Sequence, residues 1–343
     1  MKTKKLVKRT YGQLVDNIAD IMSQARFQAI RQVNQILVMT YWEIGREIVE
    51  HAQKGKEKAD YGEKLLEMLS KDLTLKFGKG FTQSGLRRMR QFYVAYPKCA
   101  TLSHKLSWSH YCLLVAVSDP QGRSFYEKET IDCNWSVRQL DRQVNSMLYE
   151  RLALSKNKKG VLTLAKKGQS ITKPEDVIKD PYVLEFLGIP ENTKLSETKL
   201  ESSLIEHLKA FLLELGKGFS FVARQQRISI NNEHFYVDLV FYNIYLKCYV
   251  LIDLKTRKLK HTDIGQMNFY LNYFKKEVNR KEDNEPVGIV LCAEKDKAFA
   301  EFVMSGLSNK LFTSKYKLAL PKPKELQAEI SETLSNLRLK GKK

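Results

Sequence analysis

The sequence predicts a chain of two unlike parts, an all-helical amino-terminal domain and a carboxy-terminal α/β domain. Apolar residues recur at helical spacing from Tyr11 to about Ala153. Beyond residue 197 the pattern changes to strand-like alternation interleaved with helices. Within this second part, the run FYVDLVFYNIYLKCYVLIDLK (residues 235–255) is apolar, aromatic and β-branched, yet it holds Asp238 and Asp253 and ends on Lys255. Such runs belong in the middle of a sheet, where a buried charge without a partner is costly, so these three residues need either water or a task.

The first element expected is one or two long amphipathic helices. Leu14, Ile18, Ile21, Ala25, Ile30, Val33, Leu37, Tyr41 and Ile44 recur at intervals of three to five residues. A shorter helix follows in GEKLLEMLSKDLTLKF. The glycines of GKGF then break the pattern, and TQSGLRRMRQFYVAYP starts a helix with Thr82 as candidate N-cap and stops before Pro97. Helix, glycine turn and arginine-bearing helix outline a candidate helix-turn-helix, with Arg87, Arg88 and Arg90 placed to meet DNA. A helical hairpin with a solvated basic face fits the same residues. WSHYCLLVAV and WSVRQLDRQVNSMLYERL are further helices. Residues 155–196 are rich in Lys, Gly, Ser and Pro and read as a connection, giving an expected division into 1–154, 155–196 and 197–343.

The α/β part opens with a helix in ETKLESSLIEHLKAFLLELGKGF, whose apolar face runs through Leu204, Ile205, Leu208, Phe211, Leu212 and Leu215. Gly216 and Gly218 stop it. FSFVARQQRISI alternates as a strand and NNEH turns. FYVDLVFY and KCYVLIDLK pair as a hairpin, followed by the helix DIGQMNFYLNYFKKEV, the strand VGIVLCAE and a basic helical tail from about Lys322.

The 58 Lys and Arg residues exceed the 39 Asp and Glu residues, giving the 343-residue chain a net charge of +19. That balance favours a polyanionic partner, because each phosphate neutralised releases counterions. A soluble protein that is merely basic is the alternative. The five cysteines are scattered without a C-x-x-C pair, so neither a disulfide framework nor a zinc site is indicated and a reducing cytoplasm is expected. The basic amino terminus lacks the apolar core of a signal peptide, and no apolar run has the length of a membrane span. The six histidines show no ligand spacing, and Trp42, Trp108 and Trp135 read as core anchors. There is no P-loop and no dinucleotide-binding glycine pattern.

Alternate residues of a strand share a face, so Asp253 and Lys255 point the same way. With NIYL as the hairpin tip, Asp238 falls opposite Leu251, and Asp253 lies one diagonal step away at roughly 7 Å. Two carboxylates so placed can share one Mg²⁺. Phosphodiester hydrolysis needs an ion to polarise phosphoryl oxygens and acidify a water, together with a cation to orient that water or stabilise developing charge. Asp238 and Asp253 would hold the metal and Lys255 would serve the water or the transition state. Glu201, on the buried face of the preceding helix, is the candidate third carboxylate, ahead of Glu206 and Glu214. Solvated edge aspartates with Lys255 as a salt-bridge partner are the competing assignment.

Asp238 followed by DLK resembles the D-(x)n-[DE]-x-K core of the PD-(D/E)XK nuclease superfamily, and QMNFY is similar to the Q-x-x-x-Y motif of its RecB-type members. FLLELGKGFSFVARQQRI, FYVDLVFYN, DLK and GQMNFYLNYF resemble the YhcG-type family, as do the YWEIG and WSVRQLDRQV segments of the helical part, so the resemblance covers nearly the whole chain. It implies a restriction-endonuclease-like domain with a mixed central sheet, Gln266 and Tyr270 near the site, and Mg²⁺ as cofactor with Mn²⁺ as a substitute. It further implies a helical domain that binds nucleic acid, DNA first, in a bacterial setting of restriction or DNA processing. Two residues depart from the superfamily pattern: Val237 stands before Asp238 in place of proline, and Asp253 replaces the commoner glutamate. A non-catalytic binding module on a nuclease-like scaffold is the rival function, and RNA the rival substrate. One active site cuts one strand, so a double-strand break calls for a homodimer or two sequential nicks.

Overall fold

A computed structural model describes residues 11–54, 59–154, 158–190, 193, 195–307 and 309–320. The basic tail expected from Lys322 lies outside the described residues. The chain divides into two compact units, Met1–Asp119 and Pro120–Lys343.

The first unit contains α1 (Tyr11–Lys54), α2 (Ala59–Phe77), α3 (Gln83–Ala95) and α4 (Trp108–Ala116). Its core gathers Ile48, Leu66, Leu86 and Met89. Gly45 lets α1 approach α3 closely, since a Cβ there would lie 2.1 Å from the Met89 carbonyl oxygen. Trp42 is buried and donates its indole N–H to the Tyr96 carbonyl at 2.7 Å. Thr82 caps α3 as expected, accepting from Gly85 N at 3.1 Å. The helical spacing over Tyr11–Lys54 yields one 44-residue helix. Burial, however, is confined to its later part: Ile18, Ile21 and Val33 are exposed, whereas Val38, Trp42 and Ile48 are buried, in the stretch where Trp42 meets Tyr93 and Gly45 meets Met89 of α3. Among the described residues no helix is long and apolar enough to cross a membrane.

The second unit begins with α5 (Pro120–Cys133), α6 (Val137–Asn145), α7 (Leu148–Leu154) and α8 (Lys158–Lys167). There follow β1 (Tyr182–Val183), α9 (Glu197–Glu206), α10 (Leu208–Leu215), β2 (Phe219–Ile230), β3 (Glu233–Asn243), β4 (Cys248–Lys258), α11 (His261–Tyr273), β5 (Val287–Glu294), α12 (Lys297–Met304) and β6 (Lys310–Lys317). The six strands form one mixed sheet in the order β1-β6-β5-β4-β3-β2, antiparallel from β2 to β4 and parallel from β4 outward. Leu204, Phe211 and Leu215 of α9 and α10 cover one face with Leu239, Phe241, Ile252 and Ile289. On the other face Ile264, Met267, Tyr270 and Leu271 of α11 meet Val237, Val240, Leu251 and Val290. Gly288 leaves room for α11, as a Cβ there would stand 2.7 Å from Met267.

Packing divides the chain differently from the expected boundaries. Residues 155–196 are no bare connection, since Tyr182 and Val183 are fully buried and join the sheet beside β6. Helices α5–α7 belong with the sheet because ion pairs tie them to it: Arg142 and Arg151 reach Glu214 at 3.2 and 2.6 Å, and Lys217 reaches Glu129 at 2.8 Å. These long-range pairs leave no periodic signal in the sequence. The single helix expected over 197–215 is broken at His207, whose ring Nδ1 lies 3.0 Å from the Ser203 carbonyl oxygen.

Candidate active site

The site forms where the sheet forks. The β3–β4 ladder runs from Asn243↔Cys248 to Leu239↔Ile252, whereas β2–β3 continues to Ile230↔Glu233 and β4–β5 to Lys258↔Glu294. Extending the β3–β4 register by one step sets Asp238 directly opposite Asp253. The expected pairing of Asp238 with Leu251 is therefore off by two residues. Asn243 belongs to the strand, and its Oδ1 accepts from Tyr245 N and Leu246 N, both at 3.1 Å, which moves the turn to residues 244–247. Lys247 completes that turn with φ 49°. The correction brings the two acids closer in register than expected.

At the fork, side chains replace ladder bonds. Asp238 Oδ2 accepts from Leu254 N at 2.8 Å, and Tyr270 donates its hydroxyl to the Tyr236 carbonyl at 2.9 Å. The inward alternation of β3 also breaks here, with Val237 and Leu239 lying in opposite hydrophobic clusters. Gln266 Nε2 donates to the Tyr270 hydroxyl at 2.5 Å, so the two motif residues brace the backbone just before Asp238.

Asp253 is buried, and its Oδ2 lies 2.7 Å from Lys255 Nζ without a well-aligned hydrogen bond. Burial pushes its pKa up to about 7, with Lys255 pulling it down and Asp238 adding to the rise. Burial also raises Asp238, against the pull of Leu254 N–H and Lys255. Lys255 is buried as well; desolvation works to lower its pKa, but Asp253 and Glu197 outweigh it and the ammonium is stabilised. Glu197 Oε2 stands 3.8 Å from that ammonium. It lies one helical turn before Glu201, and that spacing was the signal that could have found it.

Glu201 is buried, as its place on the apolar face predicts, and it reaches Asp238 through an intermediary. Gln225 Nε2 donates to Glu201 Oε2 at 2.6 Å and to Asp238 Oδ1 at 2.9 Å. Arg224 Nε donates to the other Glu201 oxygen. Gln225 holds φ 47° inside β2, a left-handed conformation that few side-chain-bearing residues adopt. ARQQRI reads as part of an alternating strand and of a family-like segment, and neither feature singles out Gln225. Behind these residues Arg257 grips Asp263 through two 2.8 Å bonds.

The remaining candidates lie in the first unit. Arg87 is held by Glu63 at 2.6 Å, Arg88 is exposed and Arg90 is half-buried, so the three do not present one free basic face.

Among the described residues no group of three acidic, histidine or cysteine side chains converges as a finished metal cage. A divalent ion nonetheless fits the chemistry of the fork. Two carboxylates face each other across it, both are raised by burial, and one buried oxygen lacks an aligned donor.

A mixed sheet with an aspartate on each arm of a fork, a lysine two residues past the second and a glutamine–tyrosine brace behind them defines a PD-(D/E)XK nuclease domain. Residues 175–331 match the family model described as the YhcG PDDEXK nuclease domain, and residues 17–151 match the DUF1016 N-terminal domain. The chain is 40% identical over 355 residues to the Escherichia coli (strain K12) protein named "Putative nuclease YhcG", covering 94% of each. It belongs to the YhcG family of nucleases. A crystal structure of a repair endonuclease from Pyrococcus abyssi overlaps 38% of this chain and 50% of its own, at 20% identity and a TM-score of 0.27, which is too slight a likeness to argue from.

Proposed function

We propose that this protein is a metal-dependent endonuclease that hydrolyses phosphodiester bonds of DNA at the Asp238–Asp253–Lys255 fork. The observation that carries the reading is Asp253, a buried carboxylate opposite a second one and beside a buried ammonium. Asp238 and Asp253 would hold the ion, with Glu201 behind them. Mg²⁺ is the first choice and Mn²⁺ the substitute; when bound, the ion supplies Lewis acidity and lowers the pKa of an attacking water. Lys255 places a positive charge where charge develops on the phosphoryl group. Gln266 and Tyr270 position the backbone that carries Asp238.

Nucleic acid as substrate fits the +19 charge and the arm formed by β2 and β3. The arm turns at Asn231 and Asn232, whose φ of 49° and 69° suit a two-residue hairpin, and Arg224, Gln226 and Arg227 are exposed along it. In the first unit, Arg88 of the arginine-bearing helix is the residue best placed for a phosphate. One such site cuts one strand, so a clean double-strand break calls for a homodimer. The cytoplasm is the proposed place of action.

The test is cleavage of a panel of double-stranded DNA, single-stranded DNA and RNA in Mg²⁺, Mn²⁺ and chelator. We expect metal-dependent cutting of DNA, reduced at least about a hundredfold by Asp253→Ala or Lys255→Ala with binding retained. Wild-type cutting by both variants would refute the site, cutting of RNA alone would refute the substrate, and binding without cutting under every condition would leave only the scaffold function.

A further inference from the structure

We infer that the first part of α1, Tyr11 to about Leu37, is an antiparallel homodimerisation helix. Leu14, Ile18, Ile21, Met22, Val33 and Ile36 are between 47% and 65% exposed. At 100° per residue they fall, with the small Ala25 and Ala29 between them, on one stripe that runs roughly 33 Å along the helix. Further along α1 the side that packs in the core, at Val38, Trp42 and Gly45, is the opposite one. The stripe is thus not the margin of the packed face, and an isolated helix gains too little from propensity alone to leave such a face in water. With Tyr11 and Val15, it presents roughly 900 Å² per helix, close to the ~800 Å² per partner of a standard interface.

A second copy is the occupant the sequence fits. Antiparallel alignment about a two-fold axis between residues 23 and 24 sets Tyr11 opposite Ile36, Leu14 opposite Val33, Ile18 opposite Ala29 and Met22 opposite Ala25. Large residues then face small ones at the centre, where helices must approach most closely. Asp16, Asp20 and Arg31 fall on the side of the helix turned away from the stripe and Arg26 on its flank, so the seam itself carries no charge that would oppose a second copy. Parallel alignment in register would instead stack Ala25 on Ala25 and bring Arg26 beside Arg26. This deepens the homodimer part of the proposed function by naming its surface, and its test reads mass rather than cleavage.

The test is light scattering and sedimentation of the full chain, as parent and as Ile18→Glu, across a wide concentration series. The parent should be a dimer, and Ile18→Glu should halve the mass while keeping the near-ultraviolet signal of the packed core, since Ile18 has no part in it. Protein carrying Met22→Cys mixed with protein carrying Ala25→Cys should form a disulfide-linked pair that neither forms alone. A parent that stays monomeric overturns the inference, whether the stripe is then covered by residues 321–343 of the same chain or by another partner. So does an Ile18→Glu variant that remains dimeric, and so does Ala25→Cys that links to itself, which would mean parallel helices. Loss of cleavage with the dimer intact would touch only the catalytic reading.

Discussion

The second unit buries two acidic clusters, and they are opposites. Glu214 is fully buried and surrounded by donors: Arg151 at 2.6 Å, Arg142 at 3.2 Å and the Val183 N–H at 2.9 Å. Burial alone would raise its pKa, but Arg151 and Lys179 overcome that and bring it down to about 2. Asp253 is buried almost as deeply, has one lysine beside it and is pushed up to about 7. Burial of a charge therefore does not mark a functional site in this fold. What marks it is burial with too little compensation, because that deficit is what an incoming cation would relieve.

The sharpest way to test this contrast is to neutralise each acid. Glu214→Gln leaves Arg151 and Arg142 buried beside an amide and should cost about 3–5 kcal/mol of unfolding free energy. Asp253→Asn removes a carboxylate the fold holds at a cost but leaves Lys255 with Glu197 alone, so the two effects offset and stability should change far less than in Glu214→Gln, while cleavage is abolished. Denaturant titration of both variants beside a cleavage assay decides the matter. A severe loss of stability in Asp253→Asn would make that residue structural and erase the distinction.

The same contrast shows how far the sequence could be read. The fork was legible because it rests on local pattern: Asp238 and Asp253 interrupt apolar strands, Lys255 shares the Asp253 face, and Glu201 falls on the buried side of α9. The exact opposition of the two acids was not, because the register turns on Asn243 closing its own loop, a side-chain choice that shifts every partner by two. The Glu214 cluster was invisible for a different reason. Its partners, Arg142, Arg151 and Val183, come from 72, 63 and 31 residues away, and no periodicity encodes such pairings. The edge strand Tyr182–Val183 is too short to alternate, and it was hidden in a lysine-rich stretch. The long first helix was read correctly as a helix, but the sequence could not say which part of its apolar face finds a partner.

Stability against pH gives a smaller effect of the same origin. Glu214 has its folded pKa below the ordinary carboxylate value, so its contribution is present above about 4.5 and is lost as pH falls towards 2. For Asp253 the folded value of about 7 lies above the ordinary one of 3.8, so the fold favours the protonated form and stability declines as pH rises from about 4 to about 7. Lys179, lowered to about 8 by burial, titrates above this window. In metal-free buffer, Asp253→Asn should flatten the decline between pH 4 and 7 relative to the parent, and Glu214→Gln should flatten only the acid limb. Saturating Mg²⁺ should also flatten the neutral decline in the parent, because an ion held by ionised Asp253 stabilises the charged form. An Asp253→Asn profile that keeps the parent's neutral slope would assign that slope to another group.

The smallest expected effect concerns Gln225, which joins the compensated and uncompensated parts of the fork by giving one amide to both Glu201 and Asp238. It does so from a left-handed backbone that costs a residue with a side chain about 1 kcal/mol relative to glycine. Gln225→Ala keeps that strain and loses the bridge, whereas Gln225→Gly loses the bridge and relieves the strain. The alanine variant should therefore be the less stable of the two by about 1 kcal/mol. Both should need a few times more metal for half-maximal cleavage, because neither holds Glu201 against Asp238. If both variants lose stability equally, the backbone strain is not being held in place by the fork. If both retain the parent's metal requirement, the amide serves packing alone, and Glu201 belongs with Glu214 among the acids of the scaffold.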